Sequence, residues 1–308
     1  MSVKQRLKNV EFVSKSYKKL MEARKVILSL FSGMAPVYVS KVKYKSTFKR
    51  QLNLDNPVYF NEKLMWLKLK RYANDPLVIQ GADKYKSRDF VEDCGLGEIL
   101  NELIGVWDKA EDINWDDLPE KFAIKCNHGC GFNIICTDKS KFDTRAAEKK
   151  LNKWLEKGSW REYAELHYRH IEPKIICEKF LEADDGGLPE DYKFYCFNGE
   201  PVFIGNFIER NLEEHTIIRG YFDLDWKPSD VFKEKDKMDV SKFNRPKNLD
   251  KMIEYSRILS KPFPFVRVDF YEVGGKVYFG ELTFTPTGCL GTYYTDDAYL
   301  QLGNLLKL

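Results

Sequence analysis

The stretch "FVRVDFYEVGGKVYFGELTFTPTG", residues 265–288, is two strand-like runs meeting at Gly274-Gly275. Runs of this kind on either side of a glycine pair predict a β-hairpin. Each run carries one acid, Asp269 and Glu281, in apolar and aromatic company, and Arg267 stands two residues before Asp269. Residues two apart on a strand share a face. Arg267 and Asp269 therefore point one way, while Val266, Val268 and Phe270 point into a core. Glu281 and Thr283 share a face on the returning strand by the same rule.

Whether the two faces coincide depends on the connection. A two-residue Gly274-Gly275 loop pairs Asp269 with Gly280 and leaves Glu281 on the opposite side. An odd-length loop or a bulge brings the two acids together. Carboxylates that close repel unless a cation lies between them. Mg²⁺ chelated with nucleotide phosphates is one solution, since it takes few protein carboxylates and keeps phosphate oxygens and waters. The plainer alternative is a salt-bridged face, Arg267 to Asp269 or to Glu281.

Around this hairpin lies a chain of 308 residues, 43% hydrophobic, long enough for a substantial core in two or three lobes. Aromatic residues at 14% exclude a disordered protein. The seven cysteines, an odd number, lie mostly in apolar runs such as "AIKC", "NIIC" and "KIIC". They suit reduced thiols in a cytosolic protein better than a secreted disulfide framework. Charge is unevenly placed. Residues 1–50 hold 13 Lys and Arg against Glu11 and Glu22, which leaves 37 basic and 45 acidic residues in the rest. A basic arm on an acidic body points to an anionic partner. Within the arm, Val26 to Val39 is apolar but too short to span a bilayer, is broken by Gly33 and Pro36, and has no secretory cleavage pattern. Two readings follow: a basic helix docked on the body by one apolar face, which is preferred, or a monotopic membrane contact.

Helices are predicted over residues 1–32, over 60–73 with Asn61 as N-cap, and in "DKYKSRDFVEDCG", capped by Asp83 and stopped near Gly95. Further helices run from Asp143 to Lys157, closed by Gly158, from Trp160 to His170, over 247–260, and at the C-terminus. "KFAIKC" and "FNIIC" read as strands joined by "NHGCG", and "KIICEKFL" starts a second sheet. "DYKFYCF-NG-EPVFIGNF" reads as a tight hairpin and "HTIIRGYF" as a further strand. Helices and strands segregate more than they alternate, which predicts an α+β fold with mostly antiparallel sheets.

In "AIKCNHGCGFNII" a strand-end lysine precedes Gly129 and Gly131, an arrangement able to hold phosphates on backbone N–H groups. The Walker A spacing is absent, and alone the stretch reads as an ordinary turn. Zinc ligation by Cys126, His128, Cys130 and Cys136 is disfavoured because their spacing fits no familiar zinc knuckle. His167 and His170 have no matching ligand cluster and read as surface or packing residues. Asp223 and Asp225 in "FDLDW" form a D-x-D, the metal–diphosphate motif of a glycosyltransferase, but no nucleotide-binding βαβ unit precedes it. No Ser/His/Asp or Cys/His arrangement suggests a nucleophile.

Chain order adds a resemblance. Asp83-Lys84, the Lys125 glycine loop, "CEKFL" and "RVDF…ELTFTPTG" together resemble the ATP-grasp superfamily, which includes D-alanine–D-alanine ligase. "LNLDNPVYFNEKLMWLKLKRY", "DKYKSRDFV", "FAIKCNHGCGFNII" and "LPEDYKFYCFNGEP" resemble more specifically the TupA-like ATP-grasp family of teichuronopeptide and surface-polysaccharide gene clusters, from residue 50 or so to the C-terminus. The resemblance implies a basic helical region (1–82), a small subdomain with the phosphate loop (83–177) and a large subdomain with the adenine and metal sites (178–308), clasping ATP between antiparallel sheets. It implies that Lys84 and Lys125 contact the α/β-phosphates and that the loop with His128, Gly129 and Gly131 covers the β/γ end. Glu178, with the backbone of Lys179, Phe180 and Leu181, reads adenine. Glu182 or Asp191 holds the ribose, and Lys193 or Arg219 reaches the γ-phosphate. Asp269 and Glu281 bind Mg²⁺, and Arg267 faces an acyl-phosphate. The second-metal ligand two residues after the glutamate is usually asparagine and is here Thr283, which leaves the occupancy of two metal sites open.

The reaction so implied is ATP-dependent carboxylate–amine ligation, joining an amino acid to a uronic-acid carboxyl of a surface glycan. It would take place in the cytoplasm or at the inner face of the cell membrane, with the basic arm (1–50) on acidic glycan or lipid and no nucleic acid involved. The competing readings are the glycosyltransferase, an ATP-grasp phosphotransferase that stops at the phosphorylated product, and a non-catalytic membrane- or glycan-binding adaptor.

Overall fold

The computed structural model describes residues 23–183, 186–211 and 216–308. The helix expected over 1–32 is present as α1 over 23–31 and gives way to a turn at Ser32, and residues 1–22 lie outside the described residues. All pairing in the two sheets is antiparallel. The smaller has the order β1 (Leu103–Trp107), β4 (Ile175–Lys179), β2 (Phe122–Cys126), β3 (Asn133–Cys136). The larger has the order β7 (Thr216–Phe222), β6 (Glu200–Asn211), β5 (Asp191–Phe197), β8 (Phe265–Val273), β9 (Lys276–Thr283).

"KIICEKFL", read from the sequence as the start of a second sheet, instead belongs to the first. β4 lies between β1 and β2, with Ile124 opposite Cys177 and Phe122 opposite Lys179. It pairs on both sides because both neighbours run antiparallel to it and bury its apolar run, and the crossing to the large sheet comes after Phe180. The expected boundary at 177/178 therefore falls inside this strand. The boundary at 82/83 falls inside a core. Ala82, Phe90 and Val91 pack in the same cluster as Phe194, Val268, Phe270 and Leu282, so the helices before the small sheet share one core with the large sheet. Ile124, Cys126, Phe132, Leu151 and Cys177 form the separate core of the small lobe.

Helix ends follow local chemistry. α3 (Phe60–Trp66) starts at Tyr59 and not at Asn61, because Glu62 reaches back to the N–H groups of Val58 and Tyr59. Asn61 is buried and accepts from Tyr44 and Arg50 instead. The expected run to residue 73 ends as a π-turn, Leu67–Arg71, and a 3₁₀ turn, Tyr72–Asn74. α4 (Pro76–Ala82) and α5 (Ser87–Asp93) are joined at Asp83, whose Oδ1 accepts from the N–H groups of Tyr85 and Lys86. α6 (Thr144–Leu155) has Asp143 as its N-cap. The helix expected from Trp160 to His170 is two short 3₁₀ turns, Ser159–Arg161 and Leu166–His170, broken by Ala164 at φ 54°. α2 (Pro36–Phe48) and α8 (Asp296–Leu305) lie before and after this body in the chain, and α7 (Leu249–Ser260) contributes Leu249, Met252 and Leu259 to the large-sheet core.

Candidate active site

The hairpin of β8 and β9 does two things at once. Val273 pairs with Lys276 across a two-residue Gly274-Gly275 loop, and an extra residue then enters β9. Phe270 pairs with Phe279, but Asp269 pairs with Glu281, so Gly280 is a bulge. The bulge moves Glu281 and Thr283 onto the face of Arg267 and Asp269. Glycine suits the position, since a Cβ at 280 would lie 3.0 Å from the Asp269 carbonyl oxygen and 3.2 Å from the Tyr271 ring.

The two acids are close enough to share one nitrogen. Arg267 Nη2 donates to Asp269 Oδ2 at 2.6 Å and to Glu281 Oε1 at 3.3 Å, and Arg267 Nε donates to Asp269 Oδ1 at 2.7 Å. Thr283 Oγ1 accepts from the same Nη2 at 3.0 Å and donates to Glu281 Oε1 at 3.1 Å. Lys193 stands opposite Asp269 on β5 and bonds its Oδ2 at 2.6 Å, and it also meets Asp191 at 2.6 Å. Between α4 and α5, Lys84 links the row to the glycine loop: its Nζ lies 3.3 Å from Glu281 Oε2 and donates to the Gly129 carbonyl at 2.8 Å. Burial raises the Asp269 carboxyl, against the pull of Arg267 and Lys193. Burial also works against ionisation of Glu281, but Lys84, then Arg267 and Lys193, outweigh it and hold that carboxyl down at about 2.

The glycine loop faces this row. Cys126 N–H donates to the Phe132 carbonyl at 2.9 Å and closes the loop. Gly131 has φ 72°, and a Cβ at Gly129 would lie 2.6 Å from the Phe132 ring. Asn127 pins the loop from below: its Nδ2 donates to Asp83 and to the Glu172 carbonyl, and its Oδ1 accepts from Lys174 N–H. The His128 ring turns away from the cleft. It is buried beside Phe132 with Nε2 3.1 Å from the Trp154 carbonyl, and burial lowers its pKa, so only its backbone belongs to the loop.

Deeper in the cleft, Lys125 pairs with Glu178 at 2.6 Å, and Arg88 holds the other carboxylate oxygen at 3.4 Å. These groups border a cavity of about 130 Å³ walled by Ala123, Ile135, Phe180, Leu181 and Tyr271, a slot of apolar faces with a polar edge. Of the two ribose candidates, Asp191 is buried beside Lys193, while Glu182 is half exposed and bonded to Lys121 at 2.5 Å. The Lys179 side chain points outward to Glu102 at 3.6 Å, which leaves its backbone to the cavity wall. Arg219, on β7, lies over the Phe207 ring and borders a second, larger cavity of about 580 Å³ that reaches Arg267.

Other candidates separate. Cys126, Cys136 and His128 are directed at the carbonyls of Leu151, Glu120 and Trp154, and Cys130 is exposed, so these four do not converge on one ion. Asp223 of the D-x-D accepts from the N–H groups of Asp225 and Lys227 and so builds a turn. His167 is buried against Tyr168 and Phe284.

Several supporting residues have roles that the sequence does not assign. Arg88 and Asn127 hold Glu178 and the glycine loop. Lys68 is buried and donates to the Tyr163 and Gly288 carbonyls, fixing the chain where it leaves β9 through Thr287, Gly288 and Cys289, all at positive φ. Glu165 accepts from Thr285 at 2.6 Å in the same region, and burial raises its pKa.

Two lobes, a glycine loop over a charged row and an apolar slot behind a lysine define an ATP-grasp enzyme. The chain belongs to the TupA-like ATP-grasp family, whose model matches residues 62–307. No curated protein matches it. Among solved structures it is similar to a D-alanine–D-alanine ligase from Bacillus anthracis, at 17% identity over 74% of this chain and 66% of that one, with a TM-score of 0.44. It is also similar to an L-amino acid ligase from Bacillus licheniformis, at 14% identity over 81% of this chain and 57% of that one, with a TM-score of 0.48. The chain thus spans less than two thirds of either length.

ATP with Mg²⁺ is the cofactor pair of this enzyme class, and the residues present fit it. The donors at the acid pair, two carboxylates and a hydroxyl, are all oxygen and suit a hard cation. A guanidinium nitrogen already lies between the two carboxylates, so the position accommodates positive charge. Asp269 and Glu281 would hold the ion, with Thr283 beside them.

Proposed function

We propose that this protein is an ATP-dependent carboxylate–amine ligase that attaches an amino acid to the uronic-acid carboxyl of a bacterial surface glycan. The observation that carries the reading is the cross-strand pair Asp269–Glu281 on one face, with Arg267 reaching from it into the 580 Å³ cavity. When bound, Mg²⁺–ATP supplies the phosphoryl group that converts a substrate carboxylate to an acyl-phosphate. The chain's own groups position and neutralise. Lys84 and Lys193 stand at the acid row as fixed positive charges, and Arg267 lies where the transferring group and the tetrahedral oxyanion would develop charge. An amine then attacks the acyl carbon, the C–O bond to phosphate breaks, and amide, phosphate and a proton result.

The glycan acceptor is supported by the chemistry of the larger cavity. Tyr221 and Phe232 stack at 3.4 Å between ring centroids, and Tyr293 lies parallel to both. Arg219, Lys235 and Arg267 border the same space. The half-buried Tyr221 and Tyr293 offer aromatic surface to the C–H face of a sugar ring, and the cations receive its acid.

The test is an ADP-release screen of amino acids against glucuronic and galacturonic acids and their oligomers. The reading expects ADP only when a uronic acid and an amine are both present, with formation of an amide and loss of on the order of 100-fold in Lys125→Ala. Accumulation of a phosphorylated sugar without amine would instead favour the phosphotransferase, and transfer from a sugar nucleotide without ATP the glycosyltransferase.

A further inference from the structure

Six large apolar side chains near the start of the described chain face solvent: Val26, Ile27, Leu30, Phe31, Met34 and Tyr38. Met34 is 79% exposed, and Val26, Leu30 and Tyr38 are 60% or more. Val26, Ile27, Leu30 and Phe31 share one face of α1, Met34 follows in the turn over 32–35, and Tyr38 lies in the first turn of α2. This is not the surface by which the arm docks. Docking uses Ser32, whose Oγ donates to the Arg161 carbonyl at 2.6 Å, together with buried Val39, Ser40 and Tyr44. Single exposed apolar residues need no explanation, but six within thirteen residues, four of them on one face of α1, mark an interface.

Charge identifies the occupant. Residues 23–50 contain seven Lys and Arg and no Asp or Glu. Arg24 and Lys25 are exposed at one end of the row. Lys41 and Lys45 are exposed at the other, three and seven residues beyond Tyr38 on its side of α2. A second copy of this chain would bring two such surfaces together against their own repulsion. Residues 1–22, with six Lys and Arg against Glu11 and Glu22, carry the same sign and make a poor cover. Among the described residues, no helix is long and apolar enough to cross a membrane.

We propose that α1 and the first turn of α2 lie on an anionic lipid surface, with the apolar row at the acyl boundary and the basic residues among the headgroups. The arm borders a cleft that reaches Tyr163 and Leu290, and Leu290 belongs to the segment whose Thr287 and Tyr293 border the larger cavity. Lipid contact would thus bring that cavity close to the bilayer.

The experiment is co-sedimentation of the full chain with phosphatidylglycerol–phosphatidylcholine vesicles and with phosphatidylcholine alone. The unaltered chain is expected to pellet with the anionic vesicles only. Leu30→Glu with Met34→Glu, both at exposed positions, should lower the bound fraction about tenfold or more. Lys41→Glu with Lys45→Glu should lower it several-fold, while ATP binding in both variants stays unchanged. Absence of pelleting overturns the proposal, as does pelleting that survives the Leu30/Met34 change, which would place binding in residues 1–22 or make it purely electrostatic. A dimer in sedimentation velocity that the same change dissociates would assign the row to a second copy and also overturn it. None of these outcomes depends on which carboxylate the enzyme activates.

Discussion

The hairpins β5–β6 and β8–β9 are closed alike. Each turns through two residues at positive φ, Asn198-Gly199 at 51° and 86° and Gly274-Gly275 at 56° and 74°. Each also admits one extra residue in its second strand, Val202 in β6 and Gly280 in β9. In β5–β6 the extra residue enters after two pairs, and Tyr195 comes to lie opposite Phe203 with their rings stacked at 4.3 Å. In β8–β9 it enters after four pairs, and Glu281 comes to lie opposite Asp269. One bulge builds packing beneath the larger cavity, and the other builds the charged site. A turn type fixes register only as far as the first bulge, so the position of the extra residue decides which side chains meet.

Four measurements test what each bulge does. The largest effect is expected from Glu281→Gln, which keeps shape but removes the charge that the β9 bulge delivers. ATP turnover should fall on the order of 100-fold or more with the circular dichroism spectrum unchanged. Turnover close to that of the unaltered chain would deny the hairpin its role. Gly280→Ala should come next, because its methyl must displace the Asp269 carbonyl or the Tyr271 ring. We expect about tenfold slower turnover and a lower Tm, consistent with an overpacking cost of about 1–3 kcal/mol.

The third measurement is acid unfolding. Glu281 is held at about 2 in the folded chain against an ordinary 4.5, because Lys84, Arg267 and Lys193 outweigh its burial. A depressed carboxyl contributes stability that is complete above 4.5 and lost as pH falls from there towards 2. The slope of Tm against pH in that window should therefore flatten in Glu281→Gln. The smallest effect on chemistry is expected from Gly199→Ala, at φ 86° in the other hairpin. Denaturant unfolding should show a loss of about 1 kcal/mol, with turnover altered less than about twofold.

Much of the scaffold was legible because it rests on neighbours in sequence. Asp143 caps α6 through the Ala146 N–H, Asp83 organises the turn into α5, and Asn198-Gly199 closes its hairpin, all within a few residues. Long-range pairing leaves no such local signal. "KIICEKFL" reads as a buried strand in either sheet, and only its partners β1 and β2 assign it. Residues 160–170 have helical composition but are held by distant groups: Tyr163 O by Lys68, Glu165 by Thr285, His167 against Phe284. His128 has the residue type of a ligand contact, yet packing against Phe132 and Trp154 turns its ring away. The exposed row of α1 was likewise ambiguous, because an apolar stripe does not declare whether the body or something else covers it.

By itself the sequence determined the alternation of the strands, the glycine turns, the order of the charged motifs and hence the family, since each depends on spacing along one chain. Tertiary structure alone decided that Asp269, Glu281, Lys193 and Lys84 would meet. Strand side chains alternate with a period of two, so the single residue Gly280 inverts every face beyond it, and Lys193 reaches Asp269 across 76 residues. The inversion is fixed by how β9 pairs with β8, not by the residues of either strand read alone.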